Sequence, residues 1–459
     1  MYKLLEKIRS PFCDRVFLRK AVVIALPVAL QGFLNTVVNL VDTVMIGTLG
    51  ESTISAVGLA NKVFFVFSLL VFGCCSGVGV LASQFWGNRD TKNIKKVMGL
   101  ALLIGLVSSA FFVIPSLLCP DLVMNIFTNS EGTIAIGAKY LVIAALSYPF
   151  TAVSNVLVAM LRSVGKAKIP VATSLLTILI NVVLNYILIF GKFGAPALGA
   201  EGAALATLVA RICEMLILIV IIYLRKMVIA AKPKELFGYS KKLLVEFFRT
   251  AAPVIANEFM WGLGVTIYSV AYGRMGDGAV AAITVAQTLQ DLVLVLFQGL
   301  SAATAIVLGN EMGAGRLELA KEDAGKFLWL QFVISIFAGI FLYLMRWQFI
   351  GIYSLTPEVA QAVNLCIIVF ILYLPAKSYN YINIVGVLRS GGDTTVCLIL
   401  DTAGVWLIGV PFAFLGALVF HFPIHIVYAM VLFEEAVKMV GGFWRYRSGK
   451  WVNNLAIKV

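Results

Sequence analysis

Histidine is all but missing from this chain: there are two, His421 and His425, flanking Pro423. No HExxH or GxSxG occurs, and no histidine lies near a carboxylate inside an apolar run, so the sequence reads as a non-enzyme. The dinucleotide and P-loop glycine patterns are absent too. The corresponding loops WGNRDTKNIKK and MGAGRLELAKED follow helical runs, not strands, and make no phosphate cradle. Seven cysteines, Cys13, Cys74, Cys75, Cys119, Cys213, Cys366 and Cys397, lack metal-site spacing and mostly fill apolar stretches. No cofactor is called for. Charge is also scarce, at 13% of 459 residues against 61% hydrophobic, with a mean hydropathy of +0.97. A soluble core cannot use that much apolar material, so the chain is an integral membrane protein whose solvent is the lipid bilayer.

Twelve apolar runs of membrane length recur, at 20–48, 53–85, 94–119, 133–161, 168–190, 200–224, 246–273, 279–310, 322–345, 358–388, 394–420 and 423–444. They are helical in length and not the short alternating segments of a porin-like barrel. A net charge of +13 would suggest nucleic acid in a soluble protein, but here its placement excludes that partner. Twelve spans put both termini on one side. That side receives Lys3, Lys7 and Arg9, then Arg89, Lys92, Lys95 and Lys96, Arg162, Lys166 and Lys168, the basic 226–242 stretch, Arg316, Lys321, Arg445, Arg447, Lys450 and Lys458. The other side has little beyond Lys139, Lys192, Arg274 and Arg346, so the positive-inside bias predicts cytoplasmic termini and a plasma-membrane location. Span 1, preceded by a basic stretch without a cleavage-like site, is expected to target the chain to the membrane.

The chain is written twice. Laying Pro27 on Pro253 aligns ALPVALQGF with AAPVIANEF and Gly50 with Gly276, while LRSVG at 161–165 matches LRSGG at 388–392 at nearly the same offset. Each half holds six spans, an even number, so the two are parallel repeats about an axis along the membrane normal. The predicted fold is an all-α membrane protein of twelve transmembrane helices in two homologous six-helix bundles. Its expected parts are an N-terminal lobe over 1–225, a cytoplasmic connector over 226–245 and a C-terminal lobe over 246–459.

Inside the first span lies one aspartate, Asp42, about 30 Å from the start of the run. Even mild scales charge about 2.5 kcal/mol for Asp at a helix centre, so such a group is expected to face a polar interior and to act there. Gln31, Asn35, Asn39 and Asp42 share one helical face. Asn181 and Asn185 in span 5 and Thr207 in span 6 fall at the same depth. Together with Asp42 they form a candidate site for a coupling ion, either a proton on Asp42 or a small hard cation such as Na+. Two bland readings compete: the amides and hydroxyl simply join helices, or Lys62 neutralises Asp42 as an ion pair. In the second half Tyr268 stands where Asp42 stands in the first. Asn257, Glu258, Trp261 and Tyr268 in span 7, and Gln287 and Asp291 in span 8, mix acids with aromatic and amide groups, which with Asn35 suits a cavity for organic cations. The competing reading there pairs Glu258 or Asp291 with Lys377. Arg211 with Glu214, and Glu434 with Lys438, have the spacing of structural pairs within a helix.

The duplicated plan, VDTVMIGTLG with its aspartate, LRSVGKAKIP followed by NVVLNYILIFG, and GAEGAALAT together resemble the multidrug and toxic compound extrusion (MATE) family over nearly the whole chain. The resemblance implies a V-shaped transporter of two six-helix lobes that exchanges organic cations for H+ or Na+. It implies that Asp42 is the coupling carboxylate, with Asn181 and Thr207 beside it, and that Asn185 stands where some members have a second acid. The NorM-like branch has a glutamate where this chain has Trp261, with Glu258 close by, and an acid where this chain has Ser378. The expected function is secondary active export of amphipathic cationic compounds. Against it stand a lipid-linked oligosaccharide or lipid flippase of the same superfamily, which needs a cationic cavity for pyrophosphate, and a non-transporting scaffold or receptor.

Overall fold

A computed structural model describes residues 14–353 and 355–457. Lys3, Lys7, Arg9, Cys13 and Lys458, which enter the charge and cysteine patterns, lie outside them. The regular structure of the described residues is helical, in the order α1 (Arg15–Gly47), α2 (Glu51–Gly87), α3 (Thr91–Leu118), the short α4 (Pro120–Asn125), α5 (Glu131–Ala145), α6 (Tyr148–Ser163), α7 (Lys168–Phe190) and α8 (Gly199–Leu224). Then come α9 (Lys241–Gly273), α10 (Asp277–Gly313), α11 (Leu317–Ile350), α12 (Pro357–Leu388), α13 (Thr394–Val419) and α14 (Ile424–Arg447).

Ten of these helices are individually long and apolar enough to cross a membrane, and α5 with α6, bent by 46°, makes an eleventh span. The twelfth, α14, is 24 residues long but carries Glu434, Glu435, Lys438, Arg445 and Arg447. Its charges are tolerable because the first three are buried against partners inside the protein. Large side chains such as Phe111, Leu118, Leu179, Phe337, Phe341 and Leu407 stay exposed, as a lipid-facing surface requires. Wide π-helical turns run through Tyr381–Leu388 in α12 and through Gly404–Gly409 and Leu415–Val419 in α13. Among the first eight helices none is interrupted in this way among the described residues.

The repeat seen in the sequence reappears in the backbone. Gly50 and Gly276 cap α2 and α10 at φ 111° and 99°, a region that side chains avoid, so both hairpins need glycine at the same place. Pro27 and Pro253 both lie inside their helices, where each removes one backbone donor and weakens the ladder. The compact units divide just beyond these prolines: the first unit is Leu30–Ile255, and the second is Ala256 onward together with the chain up to Ala29. Each half's leading helix is therefore shared between units.

Within the first unit, Phe67 stacks on Tyr148 at 4.8 Å and meets Phe112 edge-on at 5.8 Å, tying α2, α3 and α6 around one core. Helices α7 and α8 form a close hairpin because Gly202 sits on the Leu188 carbonyl, where a Cβ would come within 2.6 Å of the oxygen. The connector is docked rather than loose: Lys95 binds Glu235 at 2.9 Å, and Gly99 of α3 leaves room for the Leu236 carbonyl. The second unit has its own core, built on Phe297, Phe370, Leu374 and Val427.

Candidate functional site

In the first unit α1, α2, α5, α6, α7 and α8 enclose a cavity of about 590 Å³. Helical periodicity delivers its polar wall: Asn35, Asn39 and Asp42 come from one face of α1, and Ser174, Thr177 and Asn181 from one face of α7. Thr207, Arg211 and Glu214 reach it from α8, and Asn61 and Tyr140 from α2 and α5. Phe64, Phe65, Ile46 and Tyr148 supply apolar area.

Asp42 is half-buried, and its Oδ1 accepts a 2.6 Å hydrogen bond from Asn185 Nδ2. The same amide nitrogen also donates to Asn181 Oδ1 at 3.2 Å. Asn185 itself is 1% exposed and stands behind the cavity wall, so it positions Asp42 without lining the space. Its own Oδ1 is buried and accepts no hydrogen bond among the described residues. The coupling-ion residues picked from sequence, Asp42, Asn181, Asn185, Thr207 and Asn39, are thus gathered in one place, and Asn35 is with them.

The charge around Asp42 differs from expectation. Lys62 is exposed and forms no ion pair with Asp42 among the described residues, so that alternative falls. The cation facing Asp42 is Arg211, whose Nη1 is 2.8 Å from Glu214 Oε2. Arg211 and Glu214 form the intrahelical pair that their spacing predicts and also line the cavity, which their position one turn and two turns below Thr207 signals. Two carboxylates and one guanidinium leave the cavity with one net negative charge. Nothing in the sequence pointed to Tyr140, which donates to Asn61 Oδ1 at 3.3 Å.

The candidates in spans 7 and 8 belong to the second unit and have separate partners. Asn257 is buried and donates to Asp401 Oδ2 at 3.0 Å. Glu258 accepts from Arg389 at 2.8 Å, and Tyr268 donates to Glu434 at 2.7 Å. Trp261 and Asp291 are exposed, and Gln287 is half-buried. The proposed Lys377 pair with Glu258 or Asp291 is replaced by one with Glu435 at 3.4 Å, because α14 and not α9 or α10 presents the nearest acid. The repeat accounts for the Glu258 contact only approximately, since its register lays Gln31 on Asn257 and puts Glu258 one residue further on. Arg162 and Arg389 are the arginines of the two LRS segments, and each binds the leading helix of its own half, Arg162 at Gln31 at 2.6 Å and Arg389 at Glu258.

A family model described as MatE matches residues 27–187 and 253–415, one copy in each half. The chain belongs to the MatE family. This MatE chain is 28% identical over 450 residues to the probable multidrug resistance protein NorM of Thermotoga maritima, covering 94% of this chain and 93% of that one. It is 24% identical over 433 residues to the uncharacterized transporter YisQ of Bacillus subtilis, 93% of each being covered. Among solved structures, the MATE in complex with MaL6 superposes at a TM-score of 0.86 with 20% identity, over 94% of this chain and 95% of that one. A mutant of the Vibrio cholerae MATE transporter VcmN gives 0.88 with 18% identity, over 96% and 99%. These likenesses show the MATE fold. This MatE protein is a multi-pass membrane transporter homologous to multidrug resistance proteins, in a family of transporters and not of enzymes.

Proposed function

We propose that the chain is a secondary active antiporter that exports amphipathic organic cations from the cytoplasm across the plasma membrane, with both termini cytoplasmic, in exchange for protons bound at Asp42. The cavity of about 590 Å³ is of drug-binding size, mixes apolar and polar walls, and carries one net negative charge once Arg211 and Glu214 are set against each other. That charge favours a cationic guest over the pyrophosphate of a lipid-linked sugar.

The observation that carries the choice of proton over Na+ is the orientation of Asn185. Its NH2, a donor, lies between Asp42 Oδ1 and Asn181 Oδ1, the two oxygens that a sodium ion would need to share. A carboxylate held by a donor can still take a proton on its other oxygen. Protonation then removes the cavity's net charge and its hold on a cation, and deprotonation restores both. The test is dye efflux from proteoliposomes with pH and Na+ gradients imposed separately. Efflux should follow the pH gradient with Na+ absent; efflux that follows Na+ with pH clamped would overturn the proton reading and make Asp42, Asn181 and Thr207 sodium ligands.

A further inference from the structure

Two polar clusters occupy corresponding places in the two halves, and the cavity accounts for only one. The register that lays Pro27 on Pro253 puts Tyr268 where the first half has Asp42. The register that lays Leu161 on Leu388 puts Glu434 where it has Thr207, and Lys438 where it has Arg211. Acid and hydroxyl have exchanged helices while the cation has kept its place.

In the second unit these three side chains meet. Tyr268 donates its hydroxyl to Glu434 Oε2 at 2.7 Å, and Lys438 Nζ lies 3.4 Å from Glu434 Oε1. Glu434 and Lys438 are each 5% exposed and Tyr268 7%. Lys438 is not Glu434's alone: it also lies 3.4 Å from Glu435 and 3.9 Å from Asp401. Glu435 has a second ammonium, Lys377 at 3.4 Å, and the Asn380 amide at 2.9 Å. Asp401 accepts from Asn257 and feels Arg389, which is bound to Glu258. Further out, Tyr272 and Lys377 also face Glu434, Tyr428 faces Glu435, and Asp291 faces Lys377.

Three carboxylates, Glu434, Glu435 and Asp401, therefore share two ammonium groups, Lys438 and Lys377. A buried charge left without its own counterion is costly at membrane depth, and adding one proton removes the imbalance. Glu434 is the acid placed to take it: its one ammonium within 4 Å among the described residues is shared with two other acids and its other contact is a phenol, whereas Glu435 has two ammonium groups and Asp401 accepts from Asn257 and also faces Arg389. We propose that the second unit carries its own proton-binding site on Glu434, the counterpart of the Asp42 site with acid and hydroxyl interchanged. The proton comes from water and adds to Oε1, the oxygen facing Lys438. Lys438 is then left to Glu435 and Asp401, while the Tyr268 hydrogen bond to Oε2 is retained; release reverses the exchange.

The site is tested by infrared difference spectroscopy on the full-length protein in liposomes, reading protonated carboxyl groups near neutral pH. In an Asp42→Asn background one protonated-carboxyl band should persist, and adding Glu434→Gln should abolish it. In parallel, Glu434→Gln in the otherwise native chain should lower the protons exchanged per substrate by one. A band unchanged by Glu434→Gln would overturn the site even if Asp42 couples transport as proposed. Should that variant fail to fold, Tyr268→Phe, which removes only the hydroxyl, must shift the same band; an unshifted band is equally contrary.

Discussion

Replacing Asn185 by alanine tests the arrangement at Asp42 without touching the acid. The substitution deletes the 2.6 Å hydrogen bond to Asp42 Oδ1 and the 3.2 Å bond to Asn181 Oδ1. A hydrogen bond to a charged group contributes about 1.5–3 kcal/mol, and only the carboxylate form of Asp42 makes this one fully. Losing it favours the neutral acid by that amount, and one pH unit corresponds to about 1.4 kcal/mol. The pH profile of drug transport should accordingly move about one to two units toward higher pH in Asn185→Ala. Asn181→Ala, which removes only the weaker contact to Asn185, should move it much less. The assay is substrate-driven collapse of an imposed pH gradient in proteoliposomes, run from acid to alkaline. An unmoved profile in Asn185→Ala, or an equal displacement in Asn181→Ala, would refute the assignment of Asn185 as the group that holds Asp42.

Three further outcomes follow from the packing and the ion pairs. Gly202→Ala should destabilise the α7–α8 hairpin by about 1–3 kcal/mol, because the new methyl meets the Leu188 carbonyl and not a movable side-chain tip; thermal unfolding in detergent reads this. Arg389→Gln should cost about 3–5 kcal/mol by leaving Glu258 buried and unpaired, and adding Glu258→Gln should recover part of the loss in a double-mutant cycle. Asp14, ahead of α1, is held below the usual carboxylate range chiefly by its hydrogen bond to Lys326. A lowered folded value means that the contact stabilises the protein above the unfolded carboxyl value of about 3.9 and is lost as pH falls through the folded value. The melting-temperature gap between the native chain and Asp14→Asn should therefore close as pH drops below about 4; a gap constant with pH would contradict the contact.

Much of the fold could be read from the sequence because membrane spans announce themselves by length and apolarity, and because Pro27/Pro253, Gly50/Gly276 and the two LRS segments recur in register. Two features could not. The bend between α5 and α6 falls at Leu146 and Ser147, inside a run that composition presents as one span. The division of the leading helices beyond Pro27 and Pro253 depends on which neighbours each half-helix packs against, which periodicity does not carry. At the candidate site, one intramembrane acid and the amides spaced around it were enough to anticipate that Asp42, Asn181 and Asn185 come together, since an unpaired carboxylate in an apolar run demands partners at its own depth. Arg211 with Glu214, and Glu434 with Lys438, form the intrahelical pairs that their spacing predicts, but spacing within one helix does not carry the groups that face such a pair from other helices. Lys62 shows the converse: similar depth suggested a contact that its outward orientation prevents.

The central claim is that Asp42 couples ion movement to export, and its most direct measurement is gradient-driven efflux by Asp42→Asn in proteoliposomes beside equilibrium binding of the same cationic dye. The amide keeps the shape of the acid and removes the titrating proton. The variant should reach the membrane at normal levels and lose efflux driven by an imposed pH gradient, while still binding dye through the rest of the cavity with reduced affinity. Efflux at the native rate would show that Asp42 is a structural partner of Asn185 and that coupling resides elsewhere.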